Sequence, residues 1–329
     1  MNPLLILSLL LSFFATLFFV PSWIKKARQV GLIWEDMNKI GKPKNVAGSG
    51  GIGVIFGFAL GVLAYIAIKT FYFKTAESLT STFTILTTVL IIGFVGFMDD
   101  LLGWQRGGLS KRSRIILLIC GAVPLMVINA GDSNMLGIEL GIIYPLLFIP
   151  LGVVGVSTTY NFLAGYNGLE SSQGIIILSA LAFVTWKTGS SWLAIIALIM
   201  VSSLLAFYFF NKNPSKIFPG DIMTYSVGAL IASITIIGNI EKIAVFFFIP
   251  YIIEVILKLR GKLKKHSFAK VKEDGSLDEP YEKIYGVEHL AIRILKKIKS
   301  SGKVYENEVV YIINGFQALV IVIGILLFL

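Results

Sequence analysis

Apolar residues in this chain come in long unbroken runs, not in the alternation of a strand or the one-sided stripe of a surface helix. Ten runs fall near residues 2–23, 47–70, 82–98, 115–130, 140–158, 172–187, 191–210, 222–239, 242–258 and 308–329. Each approaches the roughly 20 apolar residues that a helix needs to cross a bilayer. Helices and closed barrels alone satisfy their backbone groups in lipid. The pattern therefore predicts an all-α polytopic membrane protein of ten transmembrane helices, a single transmembrane domain over 1–329. Ten spans consume about 200 residues and leave no room for a large soluble domain. The one sizeable extramembrane segment is 258–307, with a helix-like stretch from Val287 to Lys299. Met1 to Val20 is apolar and is followed by Lys25, Lys26 and Arg28, the reverse of a secretory leader's charge order, so a retained first helix is expected.

Composition agrees: 56% of the residues are hydrophobic and 15% charged, against about 25% charged in soluble domains. The net charge of +10 acquires its meaning from position. If Lys25 and Lys26 mark the cytoplasmic side, the segments 24–46, 99–114, 159–171, 211–221 and 258–307 are cytoplasmic and hold 25 of the 29 Lys and Arg residues. That asymmetry follows the positive-inside rule and puts both termini on the non-cytoplasmic side. Charge that orients a membrane protein excludes nucleic acid as the expected partner and leaves membrane lipid. Cys120 stands alone, so no intramolecular disulfide can form.

The same topology gathers acids and amides at one face, where polar groups near a membrane tend to be functional. Asp99 and Asp100 end the third span, Asn161 to Glu170 lead from the fifth into the sixth, and Phe218-Pro219-Gly220-Asp221 opens the eighth. Adjacent acids at the electronegative end of a helix call for a cation, either Mg²⁺, which takes carboxylate and phosphate oxygens, or the nearby Lys111, Arg112 and Arg114. Asp221, at a helix start, is equally explained as an N-cap. Asn161, Gly165 and Gly168 are spaced i, i+4, i+7; a helix would give them one bare face, suited to a flat or phosphorylated ligand or to helix packing. The Gly-rich stretch Gly48–Gly51 lacks phosphate-loop spacing and reads as helix packing. Glu254 with Lys258 reads as an ion pair at the membrane edge. His266 among lysines reads as solvated, and His289 receives no role.

Asp99-Asp100, the run from Asn161 to Glu170 and Phe218–Asp221 resemble, in order and spacing, the signatures of the polyprenyl-phosphate N-acetylhexosamine-1-phosphate transferases. Asn167-Gly168, Asp36-Met-Asn38-Lys39 and Asn213–Phe218 are similar to the eukaryotic and archaeal branch, which uses UDP-N-acetylglucosamine and dolichyl phosphate. The resemblance covers about residues 35–268 and the ten-helix count. The first loop departs from the eukaryotic pattern, reading Val46-Ala47-Gly48 where a Pro-Glu pair is usual, and 258–307 is short for that branch; both favour an archaeal type.

The resemblance implies an Mg²⁺-dependent enzyme (Mn²⁺ being a substitute) that moves a sugar 1-phosphate from a UDP-sugar to a polyprenyl phosphate and releases UMP. It implies Asn161 and Asp221 as metal ligands, and Gly165, Asn167 and Phe218 as the uridine pocket. Asp99, Asp100 and Lys111 are implied as catalytic, with Lys111 as the phosphate-binding lysine, and Lys265 and His266 as diphosphate and sugar contacts. The expected donor is UDP-GlcNAc, with UDP-GalNAc or UDP-MurNAc-pentapeptide as alternatives. Direct attack by the lipid phosphate is expected over a phospho-aspartate intermediate. A plasma membrane of an archaeon, or the endoplasmic reticulum, is the expected location, and a homodimer a further expectation. A transporter is the rival class; the absence of midplane charge and of an inverted repeat speaks against it.

Overall fold

A computed structural model describes residues 3–135 and 138–329; Met1 and Asn2 of the expected first span lie outside the described residues. The helices are α1 (Ile6–Val30), α2 (Gly51–Ala67), α3 (Leu79–Arg106), α4 (Lys111–Val127), α5 (Ile149–Tyr160), α6 (Leu169–Lys187), α7 (Ser191–Asn211), α8 (Gly220–Ile237), α9 (Glu241–Phe247), α10 (Ile249–Arg260), α11 (Val287–Ile298) and α12 (Glu306–Phe328). Among the described residues, seven helical stretches are long and apolar enough to cross a membrane: Pro3–Val30, Gly51–Tyr72, Leu79–Gln105, Leu169–Lys187, Ser191–Asn211, Gly220–Ile237 and Glu306–Phe328. Large side chains such as Phe18, Phe71, Phe94 and Leu326 stand exposed on them, as lipid-facing positions do. The protein is therefore a predominantly helical integral membrane protein.

The other three expected spans are shorter or interrupted, and proline marks each. Helix α4 has 17 residues and contains Pro124. The run 140–158 becomes a wider π-type turn over Tyr144–Phe148, with Pro145, followed by α5, with Pro150 in its first turn. The run 242–258 divides at Phe248 between α9 and α10, whose first turn holds Pro250. A proline supplies no N–H to a helix interior, yet its fixed φ suits a helix start. The chain thus stops and restarts where the apolar run alone reads as continuous.

Helices α1, α2 and α7 pack together, and buried hydroxyls join them where lipid offers no alternative partner. Ser203 Oγ lies 2.6 Å from Thr16 Oγ1 and donates to Val54 O at 2.7 Å; Ser12 Oγ donates to Ile199 O at 2.9 Å. Such interhelical bonds contribute about 0.6 kcal/mol each in a membrane. Helix α8 lies between α3 and α5 and is buried almost throughout, from Ile222 to Ile236.

Short antiparallel hairpins decorate the ends: β1 (Ile33–Glu35) with β2 (Lys44–Ala47), β3 (Asn134–Met135) with β4 (Ile138–Glu139), and β5 (Lys270–Val271) with β6 (Leu277–Asp278). The first positions the site directly. Ala47 N donates to Lys216 O and Phe218 N to Ala47 O, while Gly50 N and Gly51 N donate to Phe218 O and Pro219 O. The Gly-rich stretch thus grips the Phe218–Asp221 motif along its backbone. Its glycines face close neighbours: a Cβ on Gly51 would come within 2.5 Å of Met223 N, so packing is the reason for them.

Candidate active site

Asp99 and Asp100 do not end α3. The helix runs six residues further, to Arg106, so the acids sit within it and are neutralised from other elements. Asp99, 3% exposed, receives Leu109 N on Oδ1 at 2.7 Å, and Arg114 Nε lies 2.6 Å from Oδ2. Asp100 Oδ1 accepts from Asp221 N at 2.7 Å and Oδ2 from Ile222 N at 3.5 Å. Asp100 therefore caps α8, placing a carboxylate at the electropositive end of that helix. Asp221 is consequently not the cap. Its carboxylate turns to Asn161, whose Nδ2 donates to Oδ1 at 3.0 Å. Thr224 Oγ1 donates to Asn161 Oδ1 at 2.9 Å and sets the amide's orientation.

Two glycines allow the carboxylates to meet. A Cβ on Gly96 would come within 2.5 Å of Asp221 O, and one on Gly220 within 2.2 Å of Asp100 Oδ2. Gly220 also has φ +71°, a left-handed value that favours glycine. Asp99 and Asp100 from α3, Asp221 from α8, Asn161 after α5 and Arg114 from α4 all line one cavity of about 730 Å³.

The expected helix through Asn161, Gly165 and Gly168 is absent, because α5 ends at Tyr160. The segment is a loop in which Gly165 and Gly168 have φ +103° and +83°, values a helix does not contain. Its shape is held by Gly165 N donating to Glu170 Oε1 at 2.9 Å. Gly165 lines the cavity, as does half-buried Phe218. Asn167 does not line it. That residue is buried, with Nδ2 donating to Asp36 Oδ2 at 2.9 Å and its backbone N to Glu306 Oε1 at 2.7 Å. Lys39 in turn reaches both Glu306 and Asn213.

Lys111, the first residue of α4, is exposed and outside the cavity wall. The cation that the fold brings to the acid pair is Arg114, one helical turn further on; its pairing with Asp99 was legible only as one of three nearby bases. Lys265 and His266 are also exposed and outside the wall; Lys265 Nζ lies 4.6 Å from the Tyr281 ring centroid. Instead Phe268, Trp34, Asp36 and Met37 complete the cavity, and no motif had marked Phe268 or Trp34.

Below this wall α11 covers the end of α10. Glu254 and Lys258 do pair, at 3.3 Å, but Glu254 is wholly buried and its Oε2 accepts from Val287 N at 2.5 Å, so the pair anchors α11 and does not reach toward water. Burial pushes Glu288 well above the usual carboxylate range, with Glu254 adding to the effect. Burial pushes the His289 imidazole down to about 4, helped by the Lys258 ammonium.

Among the described residues no three His, Cys, Asp or Glu side chains form a ready metal cage. An open pair of Asp221 and Asn161 suits Mg²⁺, which binds through one or two carboxylates together with substrate phosphates and water. Both side chains line the cavity, which leaves room beside them for an ion with its phosphate and water ligands.

Acids, an amide and an arginine thus converge on one cavity at the ends of several helices. The chain belongs to glycosyl transferase family 4, whose pattern matches residues 82–239. It is 35% identical, over 98% of its own length and 96% of the relative's, to a Saccharolobus solfataricus protein provisionally named UDP-N-acetylglucosamine–dolichyl-phosphate N-acetylglucosaminephosphotransferase. A Sulfolobus acidocaldarius protein of the same provisional name is 31% identical over 98% of this chain and 95% of its own. The phospho-N-acetylmuramoyl-pentapeptide-transferase of Streptococcus equi subsp. zooepidemicus is 35% identical over 56% of this chain and 57% of its own.

Proposed function

We propose that the protein transfers N-acetylglucosamine 1-phosphate from UDP-GlcNAc to a dolichyl-type polyprenyl phosphate, releasing UMP, at the cytoplasmic face of the membrane. The carrying observation is the convergence of Asp99, Asp100, Asp221, Asn161 and Arg114 on one cavity, in a chain that matches two phosphotransferase relatives along nearly its full length. Ten membrane crossings, with both termini on the far side, are part of the proposal. They are supported by the distribution of 25 of 29 basic residues and by the short helices α4, α5 and α9–α10 where the apolar runs predict spans.

In the proposed reaction an oxygen of the acceptor phosphate attacks the sugar-bearing phosphorus of the donor, a P–O bond forms, and the bond to the UMP oxygen breaks. A phosphate monoester has a second pKa near 6, so the acceptor is already largely ionised and needs no strong base. The demand is for positioning and charge neutralisation. Arg114, oriented by Asp99, supplies fixed positive charge to the phosphates. Asp100 and the first turn of α8 hold Asp221 and Asn161, the residues that would hold Mg²⁺. The ion, when bound, neutralises phosphate charge and polarises the phosphoryl oxygens. Both oxygens of Asp100 accept backbone N–H groups and Asp99 is paired with Arg114, which supports direct transfer over a phospho-aspartate. Gly165 and Phe218 supply bare backbone and a ring for the uridine, while Asn167 stabilises that loop through Asp36. A separate apolar groove of about 370 Å³, lined by Gly155, Thr159, Ile231, Phe248 and Ile252, faces lipid close to Asn161 in sequence and suits the acceptor's prenyl chain.

The test is UMP release by the purified protein from UDP-GlcNAc and polyprenyl phosphate, with and without Mg²⁺. D221A should abolish it, and a donor panel should favour UDP-GlcNAc over UDP-GalNAc and UDP-MurNAc-pentapeptide. UMP release that persists in chelator, or flux of substrate without turnover, contradicts the assignment.

A further inference from the structure

Four residues after α10, His266–Ala269, form a strap along the cavity. His266 N donates to Tyr281 Oη at 3.3 Å, and Tyr166 Oη donates to Ser267 O at 3.4 Å, both at the long limit of a hydrogen bond. Lys258 donates to Ser267 Oγ. Phe268 lies in the cavity wall against Gly165, where a Cβ would come within 2.9 Å of the ring. Ala269 N donates to Asn38 Oδ1 at 3.1 Å, and Asn38 Nδ2 donates to Gly165 O at 2.8 Å. One amide, 3% exposed, thus uses both its ends to join two cavity walls that lie 127 and 231 residues away in sequence. Asn38 therefore joins the Gly165 loop and the strap through two bonds shorter than the Tyr166–Ser267 contact.

We propose that Asn38 is a positioning residue for the nucleotide-sugar donor: by clipping Ala269 to Gly165 it fixes Phe268 as one wall of the donor site. The inference rests on the donor reading given above. Asn38 itself is outside the cavity wall, so its effect passes through Phe268. An aromatic face beside bare glycine backbone accepts a flat base or the apolar face of a sugar ring. The reacting end is fastened by other bonds, those of Asp99, Asp100 and Asp221. Loosening the strap therefore weakens donor binding equally in the ground state and the transition state, which raises KM and leaves kcat in place.

The test uses the full chain in lipid nanodiscs with saturating polyprenyl phosphate, comparing wild type, N38A, F268A and the double variant. N38A and F268A should each raise KM for UDP-GlcNAc about tenfold with kcat within about twofold. The double variant should be no worse than F268A alone, since residues acting through one contact are non-additive. Polyprenyl phosphate KM should not move. If N38A is not recovered folded, N38D, which keeps the acceptor for Ala269 and loses the donor to Gly165, should give the same KM rise. An unchanged KM in N38A or N38D, a fall in kcat alone, or effects that multiply in the double variant overturns the proposal while wild-type turnover stands. Wild-type protein that releases no UMP from UDP-GlcNAc overturns the donor reading and this inference together.

Discussion

At the scale of single residues, the site is a set of carboxylates each given a partner from another element. Asp99 has Arg114 and Asp100 has the start of α8, so Asp221 and Asn161 are left to face the cavity. Removing Arg114 strands a buried carboxylate, which costs about 3 kcal/mol or more. R114A should therefore lower the melting temperature as well as UMP release, the latter by about a hundredfold if the arginine neutralises phosphate charge. R114K should restore part of both, since it keeps the charge and loses the planar fork; thermal unfolding alongside an activity assay distinguishes the three proteins. The acids and Asn161 are legible in the sequence because polar residues at the ends of apolar runs are conspicuous. Arg114 against Lys111 is not, because only the helical turn between them decides which one faces Asp99. Asn38 and Phe268 are less legible still, since their roles come from contacts with residues more than a hundred positions away.

At the scale of elements, α3 and α8 approach closely enough to share their acids because Gly96 and Gly220 carry no side chain. G96A should push the backbones apart at Asp221 and reduce both UMP release and thermal stability, the latter by about 1–3 kcal/mol as for an overpacked core. G155L is expected to behave differently. No atom lies within 4 Å of a Cβ at Gly155, so the protein should fold normally while the apolar groove fills; KM for polyprenyl phosphate should rise with KM for UDP-GlcNAc unchanged. Helix existence is legible in the apolar runs, and the Val287–Ile298 helix falls inside the stretch its spacing predicts. What the runs conceal is interruption, at Tyr144–Phe148 and at Phe248, where proline governs local backbone without changing hydrophobicity. The loop after α5 misled for a related reason: i, i+4, i+7 spacing is compatible with a helix, but two left-handed glycines and the Glu170 bond to Gly165 N hold another shape.

At the scale of the whole molecule, the segment between α10 and α12 is a cover seated on buried ionisable groups. His289, 1% exposed, is held neutral by burial at a value of about 4, against about 6.5 when unfolded. Between those values the unfolded chain binds the extra proton, so His289's contribution is complete above pH 6.5 and is lost as pH falls toward 4. The stability of wild type relative to H289Q should decline across that window by up to roughly 3 kcal/mol, measured by thermal unfolding at a series of pH values; a flat difference would contradict it. Composition predicts that this segment lies outside the membrane, but not that it closes one wall of the cavity. Glu306, at the start of α12, carries a related dependence, since its carboxylate receives Asn167 N from 139 residues earlier. During synthesis at about 5–20 residues per second, the ribosome releases the motif loop well before the carboxylate that steadies it. The bond that steadies this loop thus waits on the synthesis of α12, and a chain truncated before Glu306 should lose it and release UMP more slowly than the full chain.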